Sequence, residues 1–326
     1  MKSLLYFPIF LLLVLFMSSC GKEDNPQVIR NDNAWQLTHS NGKSAQNPCF
    51  SPDGQYLVFT RFLDGYNEGP SEIVKIRVDG TEEQLIVSAS NAGNVTVPAG
   101  CWVGSEICFA SDRAGLADEI WLVNDDGTKL RQITTHPESG GIYYIEPVFN
   151  PQNSRQIVFE YVTGENDATA IHQIAFLNVS TGEVTLLTDG SRDDRLPGWS
   201  RDGKKILFQR NEYGHENGWK VYTADIDTSD ISLSDITAVN SADIDQTDCS
   251  WYYDDCYILS SSYFDGSMMP NIFLLPVDEG SAVRITNTST NEDGAPACSP
   301  DGQKIAFESH YGEDEEFSSE IWIIKP

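Results

Sequence analysis

Positive charge is scarce in this chain. Across 326 residues, 21 lysines and arginines stand against 49 aspartates and glutamates, a formal net charge of −28. A surface of that sign repels phosphate backbones and anionic lipid head groups, which sets nucleic acid aside as a partner. Helical periodicity is missing too: beyond the N-terminal segment no stretch repeats its apolar residues at the 3.6-residue period. The common catalytic signatures are absent as well. There is no Gly-x-Ser-x-Gly elbow, no phosphate-binding loop and no Cys-x-x-Cys. His215-Glu216 begins a His-Glu-x-x-His motif, but Trp219 stands where the second histidine belongs. The other histidines, His39, His136, His172 and His310, are scattered, so no local metal motif forms and the chain is expected not to be an enzyme.

Long apolar runs are limited to one, Leu4 to Phe16, which carries Pro8. A membrane-spanning helix needs about 20 such residues. Lys2 precedes the run and Met17-Ser18-Ser19-Cys20-Gly21 follows it, the layout of a secretory signal peptide over residues 1–19. The cysteine at the break resembles the lipobox of bacterial lipoproteins, with Met17 in place of the usual leucine, and implies acylation of Cys20. Lys22-Glu23-Asp24 resembles the acidic export tag of surface lipoproteins in Bacteroidetes-type bacteria. Residues 20–34 are polar and read as a flexible tether.

What is present in abundance is repetition. Pro48-Cys49-Phe50-Ser51-Pro52-Asp53-Gly54 returns as Pro197-Gly198-Trp199-Ser200-Arg201-Asp202-Gly203 and as Pro296-Ala297-Cys298-Ser299-Pro300-Asp301-Gly302, with a looser copy at Pro147-Val148-Phe149-Asn150. Each copy predicts a short buried strand, a tight turn through a left-handed glycine, and a second strand. A second signal ends strands at Leu37-Thr38, Leu85-Ile86, Ile133-Thr134, Leu187-Thr188, Ile236-Thr237 and Ile285-Thr286, at intervals of 48, 48, 54, 49 and 49 residues. Between them lie β-branched and aromatic runs such as Glu119-Ile120-Trp121-Leu122-Val123 and Glu320-Ile321-Trp322-Ile323-Ile324. Four short strands per unit and six units predict an all-β fold: a six-bladed β-propeller of four-stranded antiparallel blades over residues 35–326. The last unit stops after its third strand, and Trp35-Gln36-Leu37-Thr38 is an orphan fourth strand. Pairing the two closes the ring and removes an open sheet edge.

With these motifs in view, residues 35–326 resemble the WD40-like repeats of TolB-type propellers. The recurring turn, Ser111-Asp112-Arg113-Ala114-Gly115 and the terminal Leu-Thr carry the likeness. Blades 2 and 5 depart from it, with Cys101-Trp102-Val103-Gly104-Ser105 and Trp251-Tyr252-Tyr253-Asp254-Asp255 at the turn. TolB carries an extra N-terminal domain ahead of its propeller, whereas residues 1–34 are expected to be only a signal and tether, so TolB's partners are not carried over.

Strand alternation puts the tight turns on one face of the ring and the long loops on the other, where binding is expected. Glu146, Asp194, Asp245 and Asp293 are expected to ring the channel mouth there. They would either hold a cation such as Ca²⁺ or cap their own loops. Tyr66, Tyr143, Tyr144, Tyr213, Tyr263, Phe264 and Tyr311 fall on the same face and suit a sugar or a protein segment. Cys101 and Cys108 flank a turn symmetrically, Cys249 and Cys256 share that spacing, and both pairs are candidate disulfides in an exported chain. The sequence thus points to an outer-membrane lipoprotein, periplasmic or cell-surface, that binds an envelope protein through its long-loop face. The alternatives are a surface glycan-binding protein or a metal-dependent polysaccharide lyase or hydrolase.

Overall fold

A computed structural model describes residues 30–89, 93–115, 117–136, 141–164, 169–211, 218–239, 245–264, 266–311 and 318–326. The N-terminal segment with Cys20, and Tyr213, lie outside these residues. The described strands form six antiparallel sheets, the blades of a propeller. Innermost strands are Ser44–Phe50 in blade 1, Ile142–Asn150 in blade 3, Asp193–Trp199 in blade 4, Gln246–Trp251 in blade 5 and Asn291–Cys298 in blade 6. In blade 2 this strand is broken into Val95–Thr96 and Trp102–Val103. Blade 6 is completed by Trp35–Gln36, which pairs with Glu320–Ile324, Trp35 opposite Ile323. The ring is therefore closed by the two ends of the chain.

The recurring turn has a defined hydrogen-bond logic. Ser51 Oγ donates to Asp53 Oδ1 at 2.6 Å and accepts from Tyr56 N at 2.9 Å, while Gln55 N donates to the same carboxylate at 3.0 Å. Ser200 and Asp202, and Ser299 and Asp301, repeat the arrangement. Gly54, Gly203 and Gly302 adopt φ of 68°, 71° and 70°, the left-handed conformation that glycine takes at least cost.

The terminal Leu-Thr signal is equally physical. Thr38, Thr134, Thr188 and Thr286 are buried, and each hydroxyl accepts the N–H of an isoleucine on the third strand at 2.9–3.0 Å. The residue before each threonine donates its N–H to that isoleucine's carbonyl at 2.8 Å. The side chain thus completes the ladder where the strand leaves the sheet. Blade 4 departs from the expected position. Its outer strand runs on past Ile236-Thr237, Ile236 is exposed, and Val239 donates to Val221 O instead.

Between blades the core is aromatic. Phe59, Phe109, Phe159, Phe208 and Phe307 occupy one position of the second strand in five blades and are fully buried. Burying such a side chain contributes roughly 1.5–3 kcal/mol. Repeated around the ring, it makes each blade depend on its neighbours.

Candidate functional site: the central channel

Each innermost strand except that of blade 2 carries a register shift, and there the chain turns left-handed at a non-glycine residue. The residues are Asn47, Glu146, Leu196, Asp248 and Ala295, with φ between 44° and 55°. Such a conformation costs about 1–3 kcal/mol at each position and persists only where the surroundings over-determine it. In four of the five a proline follows, and proline has no N–H for the bulge to leave unpaired. Together with Pro98 and Ala99 of blade 2, these residues line a waist of about 50 Å³ at the centre of the ring.

Amides at or beside these positions are satisfied from the preceding blade. Glu308 of blade 6 accepts Asn47 N of blade 1 at 2.9 Å, and Thr60 of blade 1 accepts Val97 N of blade 2 at 3.0 Å. Glu160 of blade 3 accepts Leu196 N of blade 4 at 3.1 Å, and Gln209 of blade 4 accepts Cys249 N of blade 5 at 3.4 Å. Asp248 of blade 5 accepts Ala295 N of blade 6. Ser261 of blade 5, at the position of Thr60, donates instead to Asp293 O at 2.7 Å. A polar side chain one residue beyond the core phenylalanine thus becomes an inter-blade latch. The signal was present in Phe159-Glu160, Phe208-Gln209 and Phe307-Glu308, and sequence reasoning passed over it.

These latches leave carboxylates crowded behind the waist. Burial, with the charges of Glu160, Asp248 and Glu308 behind it, pushes Glu146 up from 4.5 to about 8. Burial likewise raises Glu308 to about 7 against the pull of the Asn47 amide, and raises Asp248 against the Ala295 amide. Gly294 leaves room for this arrangement, since a Cβ there would sit 3.0 Å from Asp248 Oδ2.

The four acids expected at the channel mouth separate. Only Glu146 faces the waist. Asp194 is buried and bound through both oxygens by Arg210, at 2.6 and 2.9 Å. Asp293 is buried and held by Arg30 at 2.9 and 2.7 Å. Asp245 caps its loop by accepting Trp219 N at 3.0 Å. Guanidinium and amide groups thus take the oxygens a cation would need, which corrects the expected ring. Among the described residues no group of three or more histidines, cysteines and acids is spaced to hold a metal.

The expected binding aromatics are largely engaged within the fold. Tyr144 is buried, its ring 5.1 Å from Phe159 and 5.4 Å from Tyr161, and so is not a contact surface. Phe264 packs edge-on against Phe273. Tyr66 folds inward over the long-loop end, donating to Glu308 Oε1 at 3.1 Å with its ring 4.7 Å from His310. Chiefly the charge of Glu308, with burial, lifts the Tyr66 phenol far above its ordinary value. Tyr143, Tyr263 and Tyr311 are half-buried.

A wider recess opens at the other end of the channel, among the tight turns, away from the long-loop face where binding is expected. It measures about 370 Å³ and is walled by Phe50, Trp102, Trp199 and Trp251, with Gln152 and Arg201 exposed on its rim. The walls are the aromatic positions of the recurring motif, so the repeat builds the recess as well as the turn. Trp102 and Trp251 donate their indole N–H to Gly104 O and Gly198 O, each at 3.2 Å.

The described cysteines are free thiols. Cys101 and Cys108 do oppose one another, with Cys108 N donating to Cys101 O at 2.9 Å, but the Cys108 thiol turns to Pro147 O at 3.0 Å. Cys249 and Cys256 are out of register: Trp251 pairs with Ile258 and Ser250 with Leu259, which sets Cys256 four residues away from the position opposite Cys249. Cys256 is exposed while Cys249 packs inward, so that bridge does not form.

The profile of the TolB β-propeller domain family matches residues 27–231, and the chain belongs to that family. Among solved structures, TolB from Acinetobacter baumannii aligns with a TM-score of 0.58 at 16% identity, over 87% of this chain and 64% of that one. An oligogalacturonate lyase in complex with manganese aligns at 0.59 and 12% identity, over 93% and 95% of the two chains. A puromycin hydrolase aligns at 0.60 and 15% identity, over 88% of this chain but 46% of its own. At these identities the likeness is one of fold, and the chain spans less than two thirds of the TolB and hydrolase chains. No curated protein matches the chain significantly.

Proposed function

We propose that this protein is an exported, lipid-anchored binding module of the cell envelope that takes a segment of a protein partner in the aromatic recess at the tight-turn end of its channel. The recess carries the reading: indole and phenyl walls, a polar rim with Arg201, and a rigid ring of blades behind them. Aromatic anchors in a preformed pocket supply most of the energy of protein recognition, and arginine at the rim adds specificity. This moves the docking face away from the long loops, where Tyr66, Tyr144 and Phe264 are used by the fold itself. The anchor rests on Cys20 and the apolar run ahead of it.

A photo-crosslinker in place of Gln152, on the rim, tests the site in intact cells against one in place of Val283, exposed on an outer strand. The expected result is one protein adduct from position 152, absent from position 283 and lost with Arg201→Glu. A glycan adduct from position 152, or equal adducts from both positions, would overturn the reading. Cys20→Ala tests the anchor separately: it should abolish labelling with a radioactive fatty acid and release the protein from membranes.

A further inference from the structure

We propose that the partner segment taken by the tight-turn recess is acidic: a bulky apolar side chain seats among the indoles, and an aspartate or glutamate beside it binds Arg201. This rests on the reading of the recess as a protein-docking site and adds what the docked segment must carry. Charge complementarity points to it. The chain holds 49 acidic residues, and none of them lines the recess. Arg201 is the one charged residue that does. Its guanidinium is also uncommitted, in contrast to most arginines of the molecule. Arg30, Arg61, Arg77, Arg131, Arg195 and Arg210 each pair with a carboxylate. At residue 201 the bonds are main-chain ones: its N–H donates to Asp255 Oδ1 of blade 5 at 2.7 Å, and its carbonyl accepts Gln152 Nε2 of blade 3 at 2.8 Å. Among the described residues no carboxylate takes the guanidinium. The backbone is thus held from two neighbouring blades, while the residue stays exposed at the mouth. A planar guanidinium offers a carboxylate two parallel donors.

The depth of the recess decides which group goes in. Ala99, Pro197 and Cys249 line both the recess and the waist, so the waist is the recess floor. At about 50 Å³ the waist has room for roughly one or two waters rather than for a chain, and Glu146 and Asp248 line it. An anion carried to the floor would meet those acids, whereas an apolar side chain matches the indole and phenyl walls. The carboxylate therefore stays at the mouth, where Arg201 stands. The turns around the mouth are tight, so a segment can cross it without ending there, and the carboxylate is that of a side chain rather than of a chain end. Gln152 uses its amide nitrogen on Arg201 O, which leaves its oxygen to accept a main-chain N–H of the crossing segment.

The test selects binders to the full chain, purified in detergent, from a library of random octapeptides displayed between fixed flanks. Arg201→Glu is selected in parallel. Residue 201 is exposed and bonded only through its main chain, so the substitution leaves the fold intact. The expected result is that the wild type enriches a bulky apolar residue next to Asp or Glu. Arg201→Glu should keep the apolar residue, exchange the acid for Lys or Arg, and bind the wild-type peptides about tenfold more weakly. The same apolar residue enriched by both proteins without an acid would overturn the acidic specificity and leave the docking site standing. No enrichment by either protein would overturn the docking site itself, and this inference with it. A second library with free C-termini decides the source of the carboxylate: stronger selection from it than from the flanked library would overturn the side-chain assignment.

Discussion

Arg30 binds Asp293 through two hydrogen bonds, at 2.9 and 2.7 Å, across 263 residues of sequence. The guanidinium also holds Asp32 at 3.0 Å and lies over the rings of Phe307 and Trp322 at 5.0 and 5.1 Å. The N-terminal segment is thus pinned to blade 6 before its strand pairs there. Arg30→Ala leaves Asp293 buried and unpaired, which should cost about 3–5 kcal/mol. Urea unfolding of the variant measures it. Asp293→Leu combined with Arg30→Met should recover part of the loss, because Asp293 is then no longer a stranded charge, while Asp32 keeps its bonds from Ala34 N and Asn287 N.

Glu146 makes stability depend on pH. Its folded value of about 8 exceeds the ordinary 4.5, so between these values the folded state holds a proton that the unfolded state has released. Stability from this group is then full below about 4.5 and falls as pH rises through about 8. Glu146→Gln removes that slope, so its melting temperature should gain on the wild type from pH 5 to about 8 and level off above it. Parallel melting curves for the two proteins would refute the assignment.

Gly54 and Gly302 occupy the same turn in blades 1 and 6 with nearly equal φ, yet their surroundings differ. A Cβ at 302 would fall 2.3 Å from the Tyr253 ring, while at 54 its nearest contact is 3.4 Å from Pro300. Gly54→Ala should cost about 1–2 kcal/mol from the left-handed backbone alone. Gly302→Ala should cost clearly more, by displacement of the ring, and paired chemical denaturation measures the difference.

Tyr66 closes the long-loop end through one hydroxyl. Tyr66→Phe removes its bond to Glu308 and should destabilise by about 1 kcal/mol. Residues 63–70 should then be cut faster in limited proteolysis, while Gln46, which exchanges two hydrogen bonds with Asn67, keeps the loop partly tethered. Unchanged cleavage would show that the hydroxyl does not hold the loop.

The blades were legible because each is patterned locally. The Ser-Pro-Asp-Gly turn carries its own hydrogen bonds within six residues, from Ser51 to Tyr56, and the orphan Trp35-Gln36 announced the closure. The site was far less legible. Asp194 and Asp293 looked like Glu146 by position, yet arginines claim both, and one of those arginines lies outside the repeats. Asp248 carried no motif at all, and Glu308 only the pairing of phenylalanine with a polar residue that recurs as Phe159-Glu160 and Phe208-Gln209. Sequence alone therefore determined the number of blades, their strand order and the phase of the ring, since these follow from periodic burial and turn chemistry. Only tertiary structure decided which carboxylates meet at the waist and where the recess opens. Those depend on groups from different blades, and only closure of the ring sets the distances between them.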